Sequence, residues 1–267
     1  MKKSILALSF VLSMFSHFVC AAELKYKVIR IGTTPGDFAS LVKDGLAPEL
    51  KKSGYEVKLV EFTDYVTPNL ALADGQLDVN IFQHKPYLDQ FSKEKNLSLV
   101  AFAQVPTAPL GLYAGKLKKL SDVKIKSTIA IPNDPTNLSR ALGILSEIGW
   151  IEISKNANPF LISTKDIIKN PKELVITLLE AAQLPRTLQD VDYAVINGNY
   201  ATSSGLKLEN ALTIEKSDLY VNWAVTTQKN AAEKFIKDIA AALDSADVKK
   251  YSRNQFKGYK FPTSWKN

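Results

Sequence analysis

The chain has 267 residues, with 34 Lys and Arg against 27 Asp and Glu, a formal charge of +7, two histidines and one cysteine. Its lysines are scattered or paired, as in Lys51-Lys52 and Lys249-Lys250, and no basic block interleaves with aromatics, which excludes the usual nucleic-acid surface. One cysteine also excludes an internal disulfide framework, so the fold must rest on its core.

In chain order, Met1-Lys2-Lys3 is a charged n-region, and Ile5 to Phe15 is an apolar stretch too short to span a bilayer. Together they predict an export signal. Val19-Cys20-Ala21 suits ordinary cleavage before Ala22 and therefore a soluble exported protein. Lipid attachment at Cys20 is the alternative, for which Val19 and His17 are a poor match.

Lys27–Ile31 reads as the first strand, ending at Gly32-Thr33-Thr34-Pro35-Gly36. Phe38, Leu41, Val42, Gly45 and Leu46 give the next helix an apolar face, and Pro48 is expected to bend or interrupt it. Val57–Phe62, Leu77–Phe82 and Leu97–Ala103 are further strand candidates. A second set begins near Leu112, with strands at Thr128–Ile131, Leu174–Leu179 and Tyr193–Ile196, followed by a late strand at Tyr220–Thr226. The final clear helix is expected from Asn230, with Glu233 in capping-box position and Ala232, Phe235, Ile236, Ile239 and Leu243 inward. Alternating strands and helices in two sets of similar size predict an α/β protein of two lobes around a cleft. The expected division is a signal over residues 1–21, one lobe from 22–112 and 221–267, and the other from 113–220.

The segment Asn133-Asp134-Pro135-Thr136-Asn137-Leu138-Ser139-Arg140 lies between an apolar strand and a helix whose inner stripe is Leu138, Ala141, Leu142, Leu145 and Ile148. Asp134 suits the N-cap and Pro135 the first helical turn. Asn137 and Arg140 then share one side of the helix, off the stripe. This spacing suits holding a small anion beside an amide, with a plain capped helix and a solvated Arg as the other reading. An Arg off the stripe is expected to be removable without cost to the fold.

Chemistry of transformation is poorly supported. With the signal removed, His84 is the only histidine and no cysteine remains, which leaves no Cys/His nucleophile pair and no usual zinc set. There is no Gly-x-Ser-x-Gly elbow and no glycine-rich phosphate loop. Asp64, Asp78, Asp134, Asp190 and Asp192 sit where strand ends and caps are expected, which reads as capping or solvated carboxylates. No enzyme, cofactor or metal is expected.

Six segments in order carry a resemblance. They are Ile31–Gly36, Glu61–Asn69, Phe82–Leu88, Asn133–Arg140, Glu180–Arg186 and Ala194–Ala201. The chain resembles the NlpA family of methionine-binding proteins that serve bacterial ABC importers, from about Val28 to Trp265. The resemblance implies a two-lobed periplasmic binding-protein fold (type II), with L-methionine held in the cleft and passed to a permease driven by a cytoplasmic ATPase, by a protein acting as a monomer. Carried over by residue, Arg140 would clamp the carboxylate, Asn137 and Asn197 would bond the head group with help from Asn199, and Tyr65, Phe82 and His84 would wall the side chain. The residues alone leave alternatives open, with His84 as a cap, Phe82 as core, and Asn197 and Asn199 as turn residues. Ile81, where many relatives carry Tyr, is expected to make the side-chain wall less polar. Other readings of the same fold are a different cargo (D-methionine, a methionyl dipeptide, another small amino acid), a surface adhesin or sensor, or an enzyme using the cleft.

Overall fold

The computed structural model describes residues 27–265, so the expected signal over 1–21 and Cys20 lie outside the described residues. The chain begins with β1 (Lys27–Thr33), α1 (Asp37–Ser40), a π-helical turn (Leu41–Leu46), α2 (Ala47–Lys52) and β2 (Tyr55–Glu61). It continues through α3 (Thr67–Ala73), β3 (Val79–His84), α4 (Lys85–Lys95) and β4 (Leu99–Val105). The second lobe is built from β5 (Gly111–Ala114), β6 (Thr128–Pro132), α5 (Pro135–Glu147), β7 (Glu152–Ile153) and β8 (Ile167–Lys169). It is completed by β9 (Val175–Leu179), α6 (Leu184–Thr187), β10 (Tyr193–Ile196), α7 (Gly198–Ser203) and β11 (Thr213–Ile214). Then β12 (Asn222–Thr227) returns to the first lobe, followed by α8 (Lys234–Leu243) and α9 (Ala246–Gln255).

Two five-stranded sheets organise the lobes, in the orders β2-β1-β3-β12-β4 and β11-β5-β10-β6-β9. β1 runs parallel to β2 and β3, and β6 parallel to β9 and β10, while β12 enters antiparallel between β3 and β4. Each lobe has its own core. Ile29 and Ile31 of β1 meet Leu46 and the inner face of α8 in the first, and Ile129, Ile131, Leu142 and Tyr193 meet in the second. All of β5 belongs to the second sheet, so the chain crosses over residues 106–110, ahead of the expected division at 112/113. It returns over residues 215–221. A third segment joins these crossings, because Thr107 and Lys260 exchange both backbone hydrogen bonds at 2.9 Å.

Several element ends move from their expected places for local reasons. Leu77 donates to Ala71 and closes the end of α3, so β3 starts at Val79. Asn96 ends α4 in the left-handed region at φ 52°, and Leu97 caps it, so β4 starts at Leu99. Pro48 sits in the first turn of α2, and the chain meets its missing donor with the π-turn, where Ala47 bonds back to Val42. Asn230 belongs to a turn closed on Thr227, so α8 begins after Glu233, whose side chain makes no cap bond, and Ala232 is exposed. The rest of the expected inner face of α8 is buried. α9 escapes the pattern because only Val248 and Ser252 of it are buried. Among the described residues, no helix is long and apolar enough to cross a membrane.

Candidate functional site

The carboxyl ends of the parallel strands of both sheets meet at the seam between the lobes, where ligands of open α/β sheets bind. The end of β3 brings Phe82 and His84, and the first turns of α5, after β6, bring Asn137 and Arg140. The turn after β10 brings Asn197 and Asn199, and Thr34 follows β1. Tyr65 lies ahead of α3, where Asp64 accepts the Val66 and Thr67 amides at 2.7 Å each. Gly198 allows the start of α7 to lie against the crossing segment, since a Cβ there would come within 2.5 Å of Ala108 backbone.

These residues form one buried network. Arg140, 7% exposed, donates from Nε to Glu215 at 2.9 Å, from Nη2 to the same carboxylate, and from Nη1 to Asn137 Oδ1 at 2.6 Å. Its guanidinium lies 4.6 Å from the Tyr220 ring centre. Asn137 Oδ1 also receives Asn197 Nδ2 at 2.9 Å and lies 3.2 Å from His84 Nε2. His84 Nδ1 accepts the Tyr87 amide at 3.1 Å, which places the ring proton on Nε2, facing Asn137. Burial, then the Arg140 charge, hold His84 well below the ordinary imidazole range, so the ring is neutral. Burial works most strongly against the Arg140 charge, but Glu215 together with Tyr220 and Tyr65 outweighs it, and the guanidinium pKa is raised.

Opposite the polar network stand aromatic rings. Tyr65 stacks on Phe82 at 5.8 Å and lies 5.0 Å from Tyr200, centre to centre. Hydrogen bonds join the lobes here. The Tyr65 hydroxyl donates to Asn199 at 2.6 Å, Asn199 donates to Thr34 at 3.2 Å, and the Tyr200 hydroxyl donates to the Thr63 carbonyl at 3.1 Å. The walls enclose about 20 Å³, lined by Tyr65, Phe82, His84, Arg140, Asn197 and Asn199 among others. Tyr65 separates this space from an outer chamber of about 260 Å³ bordered by Asp134, Glu180 and Glu94. Ligand pockets commonly measure hundreds of Å³, so entry of a ligand requires the lobes or rings to move apart.

All seven residues singled out from the sequence therefore come together, but three expectations change and one, for His84, widens. The first concerns the N-terminus of α5, which is not open to an anion because Asp134 accepts the Asn137 amide at 3.0 Å and its side chain at 2.8 Å. The second is Arg140, which is neither solvated nor dispensable. It is buried against Glu215, so truncating it strands a carboxylate and should cost ~3–5 kcal/mol of stability. The third is His84, whose ring packs edge-on against Tyr87 at 6.1 Å and Tyr220 at 5.2 Å as part of the aromatic wall, and which also caps α4 and faces Asn137. Finally, Ile81 is fully buried in the core of the first lobe and does not line the cavity. The aspartates behave as capping groups where they are seen to bond, Asp78 holding Arg30 and Asp192 accepting the Thr128 amide. Glu215 and Tyr220 were missed. Neither lies in a motif, and Glu215 is 75 residues from Arg140 in sequence, so only the fold joins them.

The site retains unused hydrogen-bonding capacity. Arg140 uses three of the five N–H groups a guanidinium carries, leaving one N–H on each Nη to meet a ligand carboxylate. Asn197 Oδ1 is buried with no partner among the described residues, an acceptor suited to an ammonium.

The NlpA lipoprotein family model matches residues 29–264. An outer membrane lipoprotein 3 of Mannheimia haemolytica is 38% identical, over 95% of this chain and 97% of its own. The D-methionine-binding lipoprotein MetQ of Salmonella typhi is 39% identical over 86% of both chains. The crystal structure of a nutrient-binding protein from Burkholderia cenocepacia, bound to methionine, superposes with a TM-score of 0.83 at 37% identity, covering 88% of this chain and 99% of that one. With these relatives and two α/β lobes around a shared seam, the chain has the two-lobed periplasmic binding-protein fold and belongs to the NlpA lipoprotein family.

Proposed function

We propose that this protein binds L-methionine between its lobes and delivers it to the permease of an ABC importer, without transforming it. The observation that carries this reading is the pairing of two unspent Arg140 N–H groups and an unpartnered Asn197 Oδ1 with the stacked Tyr65 and Phe82 rings. A zwitterionic head group can be desolvated only where fixed donors and acceptors replace water. A thioether gains beside aromatic rings, by ~0.3–1.5 kcal/mol per contact. The relatives named for binding methionine support the same cargo.

Calorimetry of the exported protein with L-methionine, D-methionine, L-leucine and a methionyl dipeptide tests this directly. We expect L-methionine to bind tighter than L-leucine by about tenfold, from two sulfur–ring contacts. Equal affinities would remove the thioether reading, and tighter D-methionine binding, which the names of several relatives favour, would reverse the stereochemistry. Ala22 is taken as the mature N-terminus on the strength of Val19, against the lipoprotein names of the relatives. Intact-mass analysis from the cell envelope decides it, and a diacylglyceryl Cys20 would make the protein membrane-anchored.

A further inference from the structure

Resting on the reading that Arg140 receives a ligand carboxylate, we infer that Glu215 determines the charge class of that ligand. By neutralising Arg140 inside the cavity, it makes the site accept zwitterionic α-amino acids and reject anions with the same side chain, the 2-oxo and 2-hydroxy acids.

Three observations carry this. First, Glu215 and Arg140 are both buried, with side chains 7% and 4% exposed, and their contact is two-pronged. Glu215 takes the Nε edge of the guanidinium and Asn137 one N–H of Nη1, which leaves one N–H on each Nη for a ligand, so a ligand carboxylate and Glu215 would share one positive charge. Second, the pair is fixed to the crossing segments. The Leu110 amide donates to Glu215 Oε1 at 3.1 Å, which ties the returning crossing to the outgoing one beneath Arg140. None of these contacts comes from the first lobe, so the balanced pair persists as the lobes part. Third, among the described residues no other cation lines the cavity. His84 is neutral, and the nearby Asp134 carboxylate is set against the N-terminus of α5.

The charge count follows. An incoming zwitterion leaves the buried charge unchanged, its ammonium meeting Asn197 Oδ1. An anion would place its carboxylate beside Glu215 on one guanidinium and leave one negative charge uncompensated. Like charges a few Å apart in a poorly solvated site oppose binding by tenfold or more.

The test is calorimetry at pH 7.5 on the parent and on Glu215→Gln, each with L-methionine and with its 2-oxo acid. The parent should prefer methionine by at least 100-fold, and Glu215→Gln should narrow that ratio at least tenfold. Glu215→Asp, which keeps the charge, should restore a parent-like ratio, which a merely structural role would not require. If Glu215→Gln is too unstable for calorimetry, thermal-shift titration of Glu215→Ser with the same ligands reads the same ratio. An unchanged ratio in the neutral variants, or a parent that binds both ligands within threefold, overturns the inference. A parent that binds neither ligand overturns the methionine reading itself, and this inference with it.

Discussion

Two buried polar networks lie at the ends of neighbouring elements of this molecule, and they differ in one respect. In the first lobe, Asn69, Asn80 and Gln83 bond only to each other and to the Pro68 carbonyl, through contacts of 2.6–3.2 Å. That network is closed, and it pins α3 to β3. The network of Asn137, Arg140, Asn197 and Glu215 is buried to a similar degree, yet leaves two Arg N–H groups and an amide oxygen unspent. A buried group left unsatisfied costs ~1–3 kcal/mol, so unspent capacity persists where something else is to occupy it. Completeness of hydrogen bonding, not polarity or burial, separates this closed network from the one proposed to hold the ligand.

The largest expected effect breaks the open network. Arg140→Ala should abolish measurable methionine binding and also lower stability by ~3–5 kcal/mol, because Glu215 loses its partner. Chemical denaturation paired with calorimetry checks both, and unchanged stability would show that the ion pair is not sustained in solution.

A buried carboxyl outside either network sharpens the comparison. Asp37 is 7% exposed, accepts the Phe38 amide at 2.8 Å, and is pushed up to about 6, mainly by burial. Its folded value lies above the unfolded one, so its contribution to stability is full below about pH 4 and is lost as pH rises through 6. Asp37→Asn should therefore raise stability at pH 7.5 by up to about 3 kcal/mol and flatten the profile between pH 4 and 6.5. Melting curves across that range decide it.

The closed network should respond in stability alone. Asn69→Ala strands Asn80 and Gln83 and should cost about 2 kcal/mol, with methionine affinity within about threefold of the parent. A larger loss of affinity with little destabilisation would move this network into the site. The converse holds for Asn197→Ala, which should lose about tenfold in affinity and less than about 1 kcal/mol in stability. If denaturation shows the larger change, Asn197 is structural.

Much of this protein was written locally. The Asp134 cap, the Pro135 start and the inner stripe of α5 depend on neighbours within four residues, and they fold as the pattern predicts. The same holds for the apolar runs of β1, β6 and β10, and four of the six short segments placed six residues on the cavity and Asn137 bonded behind them, without any knowledge of contacts. What the sequence could not carry was partnership at a distance. Arg140 reads as an anion clamp or a solvated cation from its helical position, and nothing in the sequence singles out Glu215. Packing alone makes them a buried pair, because the returning crossing brings residue 215 under the first turns of α5. Ile81 and Phe82 are adjacent in sequence, and only the setting of β3 between its neighbours puts one in the core and the other on the cavity. Local rules set the elements and their caps, whereas the charge state and edges of the cavity depend on which distant groups the tertiary fold removes from water together.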